Sequence, residues 1–211
     1  MNIRQFIIAF VLFIIPLTTT HGKSIDDWQA RTTLSIKKEL NQKLDLSISY
    51  YQYFDNNISH FDKSVLGSKI SYKLTEQLTA ATNYRHTIAS DKYMHEMRHS
   101  LKYKPNLNLN KWQLSYQVLY QHKFTKGYKP DNYLRNMIQV DYKIAPVVTL
   151  FTYSENFLQI NRKASHVKQR YAFGSDMKIN KQHSTSLYLI FQDNHHAPWT
   201  TRLEATYTYK F

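Results

Sequence analysis

The sequence predicts an all-β fold: an antiparallel transmembrane β-barrel of ten to twelve strands. Three observations carry this expectation. Apolar and polar side chains alternate with a period of two, 15% of the residues are aromatic, and the chain ends on an aromatic residue, Phe211. Successive strand side chains point to opposite faces, so a period of two makes one apolar and one polar face. A barrel wall in a bilayer needs that pattern, apolar toward lipid and polar toward the lumen.

The last segment shows it most clearly. Trp199, Thr201, Leu203, Ala205, Tyr207, Tyr209 and Phe211 fall on one face, with Thr200, Arg202, Glu204, Thr206, Thr208 and Lys210 on the other. The alternation recurs at 44–50, 66–74, 112–120, 134–143 and 167–179. Such runs exceed the ~5–6 residues usual for soluble strands and suit a tilted bilayer crossing. Tyr50 to Phe54, Tyr103, Trp112, Tyr142 and Trp199 stand near strand ends, as interfacial aromatic girdles do. The mean hydropathy of −0.55 is compatible with membrane insertion, because the two faces of a barrel strand average out.

The first residues read differently. Arg4 precedes an apolar run over 6–17, then a small polar stretch in which Thr20 and Gly22 stand as the −3 and −1 residues of a cleavage site. This is the layout of a Sec signal peptide over 1–22, leaving 23–211 for the barrel. The run is shorter than the ~20 residues of a spanning helix. The chain has no cysteine, which excludes disulfides, iron–sulfur clusters and a cysteine-borne lipid anchor. It carries 28 Lys and Arg against 15 Asp and Glu. Such a balance points to nucleic acid, anionic lipid or anionic solutes. Secretion disfavours nucleic acid, which leaves lipopolysaccharide phosphates and small anionic solutes as expected partners.

Short turns are expected near 75–77, 105–108, 145–146 and 180–182, and longer polar loops near 55–63, 125–132, 159–165 and 193–198. Short turns belong on the periplasmic side, so the last strand should end there. Eleven runs are present, the first at 28–38, whereas a closed bacterial barrel has an even number of strands. The preferred solution is ten strands with 28–38 as a periplasmic or lumenal segment; the other is twelve. Tyr207, Tyr209 and Phe211 have the form of a signal for the barrel-assembly machinery, the expected partner during insertion into the bacterial outer membrane.

Several features resemble a known family: Trp28 before a Lys/Leu-rich stretch to Leu44, the Tyr84–Arg85 pair, the segment from Pro146 through Glu155 to Phe157, Arg170–Tyr171 followed by Gly174, and the final Tyr-x-Tyr-x-Phe strand. They are similar to those of uncharacterised bacterial outer-membrane proteins grouped as a domain of unknown function, number 2490. The resemblance implies a barrel and brings no reaction or ligand.

Candidate chemistry is sparse. His95-Glu96-Met97-Arg98-His99 spells H-E-x-x-H, which binds zinc on a helix. On a strand the two histidines are about 13 Å apart, too far to share one ion. The pairs Ser59–His60, His99–Ser100, Ser165–His166 and His183–Ser184 are adjacent, so on a strand each splits between two faces. No catalytic residue, metal or cofactor is expected.

The interior charges carry more information. Arg85, Arg98, Arg135, Arg170 and Arg202 should share the lumen with Glu96, Asp141, Glu155, Asp176 and Glu204. They fit a basic, anion-favouring constriction in a narrow channel. The alternative is that they are packing struts that plug the lumen of a structural or surface-interaction barrel. A lipid-acting enzyme is a lesser alternative. A second basic set, Lys123, Lys126, Lys129, Arg162, Lys163, His195 and His196, is expected on external loops facing lipopolysaccharide. A monomer is expected throughout.

Overall fold

The computed structural model describes residues 25–88, 93–107, 110–161, 165–194 and 197–211. The expected signal peptide lies outside them. Eleven strands follow one another: β1 (Ile25–Glu39), β2 (Leu44–Asp55), β3 (His60–Lys73), β4 (Leu78–Ile88), β5 (Met94–Tyr103), β6 (Trp112–Thr125), β7 (Asp131–Ala145), β8 (Val148–Gln159), β9 (Ser165–Lys178), β10 (His183–Asn194) and β11 (Ala197–Lys210). Each pairs antiparallel with the next, and a β1–β11 pair closes the sheet into a barrel. Closure leaves no unpaired strand edge.

The closing pair is parallel and runs from Ile25↔Trp199 to Lys37↔Lys210, with a register shift between Ile25 and Asp27 and continuous register from there on. One parallel seam is what permits an odd strand number. The segment at 28–38, expected beside the wall, is therefore part of it. Its alternation is present but muted by Thr and Lys: Leu34 and Ile36 point outward, 60% and 52% exposed, while Arg31 points into the lumen. The seam also sets the start of β1 at the rim opposite Phe211.

The strands are strongly tilted. The ladder from Lys37, near the Phe211 rim, runs through Ser47, Lys69, Asn83, Arg98, Gln121 and Tyr133 to Gln159, at the opposite rim. Closing a sheet requires such a stagger.

Side chains sort by face as the period of two demands. Ile48, Ile70, Leu101, Ile138, Phe173 and Leu187 are exposed on the exterior, each 42% or more. Charged and polar side chains fill the interior, where Arg135, Glu155, Glu96 and Glu204 are all buried. The aromatic girdle is partly as expected, with Trp112 and Tyr142 in ring contact at 4.5 Å. The 50–54 cluster is divided, because Tyr51 and Tyr53 point inward and stack with arginines.

The contrast between short turns and long loops is weaker than expected. Among the connections described in full, those at the Phe211 rim are 40–43, 74–77, 146–147 and 179–182, and those at the other rim are 56–59 and 126–130. Strands continue into the polar segments, since ladder hydrogen bonds ask nothing of side-chain polarity. Three turns at the Phe211 rim share one device. The side-chain oxygens of Asn41, Thr75 and Asn180 each accept from two backbone N–H groups two and three residues on, as turn-forming Asn and Thr do. At the opposite rim the β2–β3 connection clasps β1. Ile58, at φ 66°, donates its N–H to the Trp28 carbonyl at 3.0 Å, and Asn57 N–H donates to Asp27 at 3.1 Å.

Phe211 completes the last ladder. Its N–H donates to the Lys37 carbonyl at 3.1 Å, and its ring lies 5.1 Å from the Lys38 ammonium and 6.0 Å from the Tyr209 ring. Deleting Phe211 is expected to lower the yield of folded barrel several-fold, read by heat-modifiable gel mobility. An undiminished yield would count against the role given to the terminal aromatic.

Candidate functional site: the arginine belt of the lumen

Six strands aim arginines at one section of the lumen: Arg31 from β1, Arg85 from β4, Arg98 from β5, Arg135 from β7, Arg170 from β9 and Arg202 from β11. Three carboxylates meet them, Glu96, Glu155 and Glu204. The alternation of each strand places these side chains, and the tilt brings them to a common height.

The belt is cross-linked. Arg135 donates from Nε at 2.9 Å and Nη2 at 2.5 Å to Glu155 Oε1, and from Nη1 to Gln121 at 2.9 Å. Gln121 in turn donates to Glu96 at 2.9 Å, and Glu96 pairs with Arg98. Arg170 lies 3.7 Å from the other oxygen of Glu155 and donates from Nε to Gln192 at 2.6 Å. On the seam, fully buried Glu204 takes Arg202 at 2.6 Å and Arg31, and Arg31 also donates to Tyr188 Oη at 3.0 Å. Burying ions is tolerable only when they are paired and hydrogen-bonded, and forked Arg–carboxylate contacts supply geometry as well as energy.

Aromatic rings hold the guanidiniums. Arg135 and Arg170 lie 4.3 and 4.5 Å from the Phe157 centroid, and Arg85 lies 4.4 Å from that of Tyr51. Such contacts are worth about 0.5–2 kcal/mol each, more when desolvated.

Two lumenal cavities flank the belt. One of about 180 Å³ lies toward the rim opposite Phe211, and one of about 490 Å³ toward the Phe211 rim. Tyr53, Arg85, Arg98, Arg135 and Arg170 line both. The belt lies between them.

All ten interior charges expected from the sequence lie on the lumenal face, but only eight are in or next to the belt. Asp141 and Asp176 sit toward the Phe211 rim, accepting from Gln139 at 2.6 Å and Ser186 at 2.5 Å. Sequence reasoning missed Arg31, because its segment was set apart from the wall. It also missed Gln121, Gln192 and Tyr188, uncharged residues at inward positions. Period-two phasing of β6 and β10 marks all three as inward, though not as partners.

The other candidates disperse. His95 and His99 point outward from β5 while Glu96 points inward, and Nδ1 of His99 is 3.1 Å from Thr82 Oγ1. His60 pairs with Asp55 at 3.0 Å, and His183 with Tyr207. No group of three metal-ligating side chains occurs among the described residues. Lys123, expected on a loop, is in β6 and lines the smaller cavity. Lys126 and Lys129 do lie in a connection, whereas Arg162, Lys163, His195 and His196 fall outside the described residues.

No curated protein matches the chain. Among solved structures it is similar to the translocator domain of autotransporter NalP from Neisseria meningitidis, at 8% identity and a TM-score of 0.39, covering 93% of this chain and 91% of that one. That likeness is too loose to bear on the lumen. Residues 28–202 match the family described as "Protein of unknown function (DUF2490)", and the chain belongs to that family.

Proposed function

We propose that the protein is a monomeric integral barrel of the bacterial outer membrane whose lumen is closed at rest by the arginine belt, serving as a structural or surface-interaction barrel. The membrane part rests on the inverted distribution of side chains. Soluble monomers rarely expose apolar patches beyond a few hundred Å², whereas this wall is apolar outside and ionic inside. Helices and closed barrels alone satisfy every backbone group in lipid. Strands of 10 to 15 residues are long enough to cross. The closed lumen rests on one observation: between the two cavities lies a belt of side chains bonded to one another from strand to strand around the wall.

A second reading, a narrow anion-favouring channel, is favoured by the belt carrying twice as many guanidiniums as carboxylates. Planar-bilayer conductance of refolded residues 23–211 separates the two. The closed reading expects no steps from the wild type and measurable current from Arg135→Ala, which removes the strut joining Glu155 to Gln121. Discrete anion-selective steps from the wild type would replace it with the channel.

A further inference from the structure

We infer that the smaller cavity, on the side of the belt away from Phe211, is a binding site for a small multivalent oxyanion of the phosphate type. The inference rests on the closed-lumen reading, since the belt is the floor on which the anion stops. Lys63 from β3, Lys123 from β6 and Lys168 from β9 line the cavity above Arg85, Arg135 and Arg170. Glu96 is the one carboxylate among its lining residues, and it is already engaged by Arg98 and Gln121.

Donors remain for a ligand. Arg135 spends its nitrogens on Glu155 and Gln121. Arg85 commits only Nε, to Asn83 at 3.2 Å, among the described residues. Lys123 and Lys168 make no ion pair among them; Lys168 instead lies 5.2 Å from the Phe157 centroid. Arg85 and Lys123 flank Glu96 in one ladder row. The Phe157 ring fixes Arg170 and Lys168 from beneath.

Like charges gathered in a partly desolvated chamber repel, and an anion that contacts several at once offsets that cost. A multivalent oxyanion suits the arrangement better than chloride. It offers several acceptor oxygens to donors from different strands, and Lys and Arg both suit phosphate. The volume of about 180 Å³ matches roughly six water molecules. That admits a phosphate group but not a lipid headgroup with its chains, so the expected ligand is a free phosphate or phosphate monoester.

The test is isothermal titration of refolded residues 23–211, in a non-ionic detergent, with inorganic phosphate, chloride and lipopolysaccharide as separate titrants. Heat-modifiable mobility checks each variant for a folded barrel. Saturable phosphate binding is expected, weakened about tenfold or more by Lys123→Gln/Lys168→Gln. Lys168→Arg should retain it, and so should Lys102→Gln in the other cavity. Failure of phosphate to bind, binding undiminished in the folded double variant, or binding of lipopolysaccharide alone would overturn the inference. Conductance of the same preparations tests the closed lumen separately: a silent barrel that ignores phosphate loses only this site.

Discussion

Glu204→Gln should destabilise the barrel by about 3–5 kcal/mol, the usual consequence of removing one partner from a buried ion pair. Glu204 is fully buried and holds Arg31 on β1 and Arg202 on its own strand. Its loss leaves two guanidiniums facing each other beside the only parallel pair in the sheet. Parallel pairing is slightly weaker per residue than antiparallel, so this seam depends more on its side-chain ties than the other ten do. The measurement is urea unfolding of the refolded protein in vesicles, followed by tryptophan fluorescence. Asp141→Asn is the comparison, because Asp141 accepts from Gln139 outside the belt. Equal losses from both substitutions would remove the special role of the seam carboxylate.

Gly174→Ala should be comparably damaging. Gly174 of β9 lies between Phe151 on β8 and Tyr188 on β10, whose rings meet edge to face at 5.4 Å. A Cβ at this position would stand 2.2 Å from Tyr188 Cβ, 2.5 Å from the Leu187 carbonyl oxygen and 2.7 Å from Tyr188 Cα. These are backbone or backbone-proximal atoms with no rotamer to yield, so β9 and β10 must separate. Overpacking by a methyl costs about 1–3 kcal/mol where side chains can move, and the loss here should reach or exceed the upper end. Gly174→Ala is expected to leave little heat-modifiable folded barrel. Gly67→Ala supplies the contrast, because its nearest neighbour is the Tyr51 ring edge at 3.1 Å, which can tilt. That variant should fold with a modestly lower midpoint. A fully folded Gly174→Ala barrel would show that the close β9–β10 approach is dispensable.

Much of this is legible in the sequence itself. Side-chain direction on a strand is fixed by parity, so Arg135 and Glu155 could be assigned to the lumen one residue at a time. What parity does not reveal is height. Asp176 and Arg170 share a face of β9, yet only Arg170 reaches the belt, because height depends on tilt and register, which belong to the closed sheet. β1 was misplaced for a related reason. An even strand count is a rule for wholly antiparallel closure, and no local pattern in 28–38 announces that its neighbour will run parallel. Loop lengths are misleading where the polar residues His60, Asp62, Lys63, Asp131 and Asn132 continue strands, since a barrel wall rising past an apolar band accepts either polarity outside. Partnership was the least legible level. That Gln121 bridges Arg135 to Glu96 follows from three strands meeting, and no spacing in the sequence encodes it.

The parallel seam also limits how the chain could be rewired. In a barrel closed by an antiparallel pair, the first and last strands leave their outer ends at one rim, and a few residues can join them. Here Ile25 and Phe211 lie at opposite rims, separated by most of the length of a 14-residue strand. At about 3.3 Å per residue and a tilt near 40°, that height is roughly 35 Å. A linker would need about ten or more extended residues. In the membrane setting proposed above it would have to thread the lumen, displacing the belt, or cross the lipid with its backbone unpaired. Circular permutation, which many folds tolerate, is closed to this one.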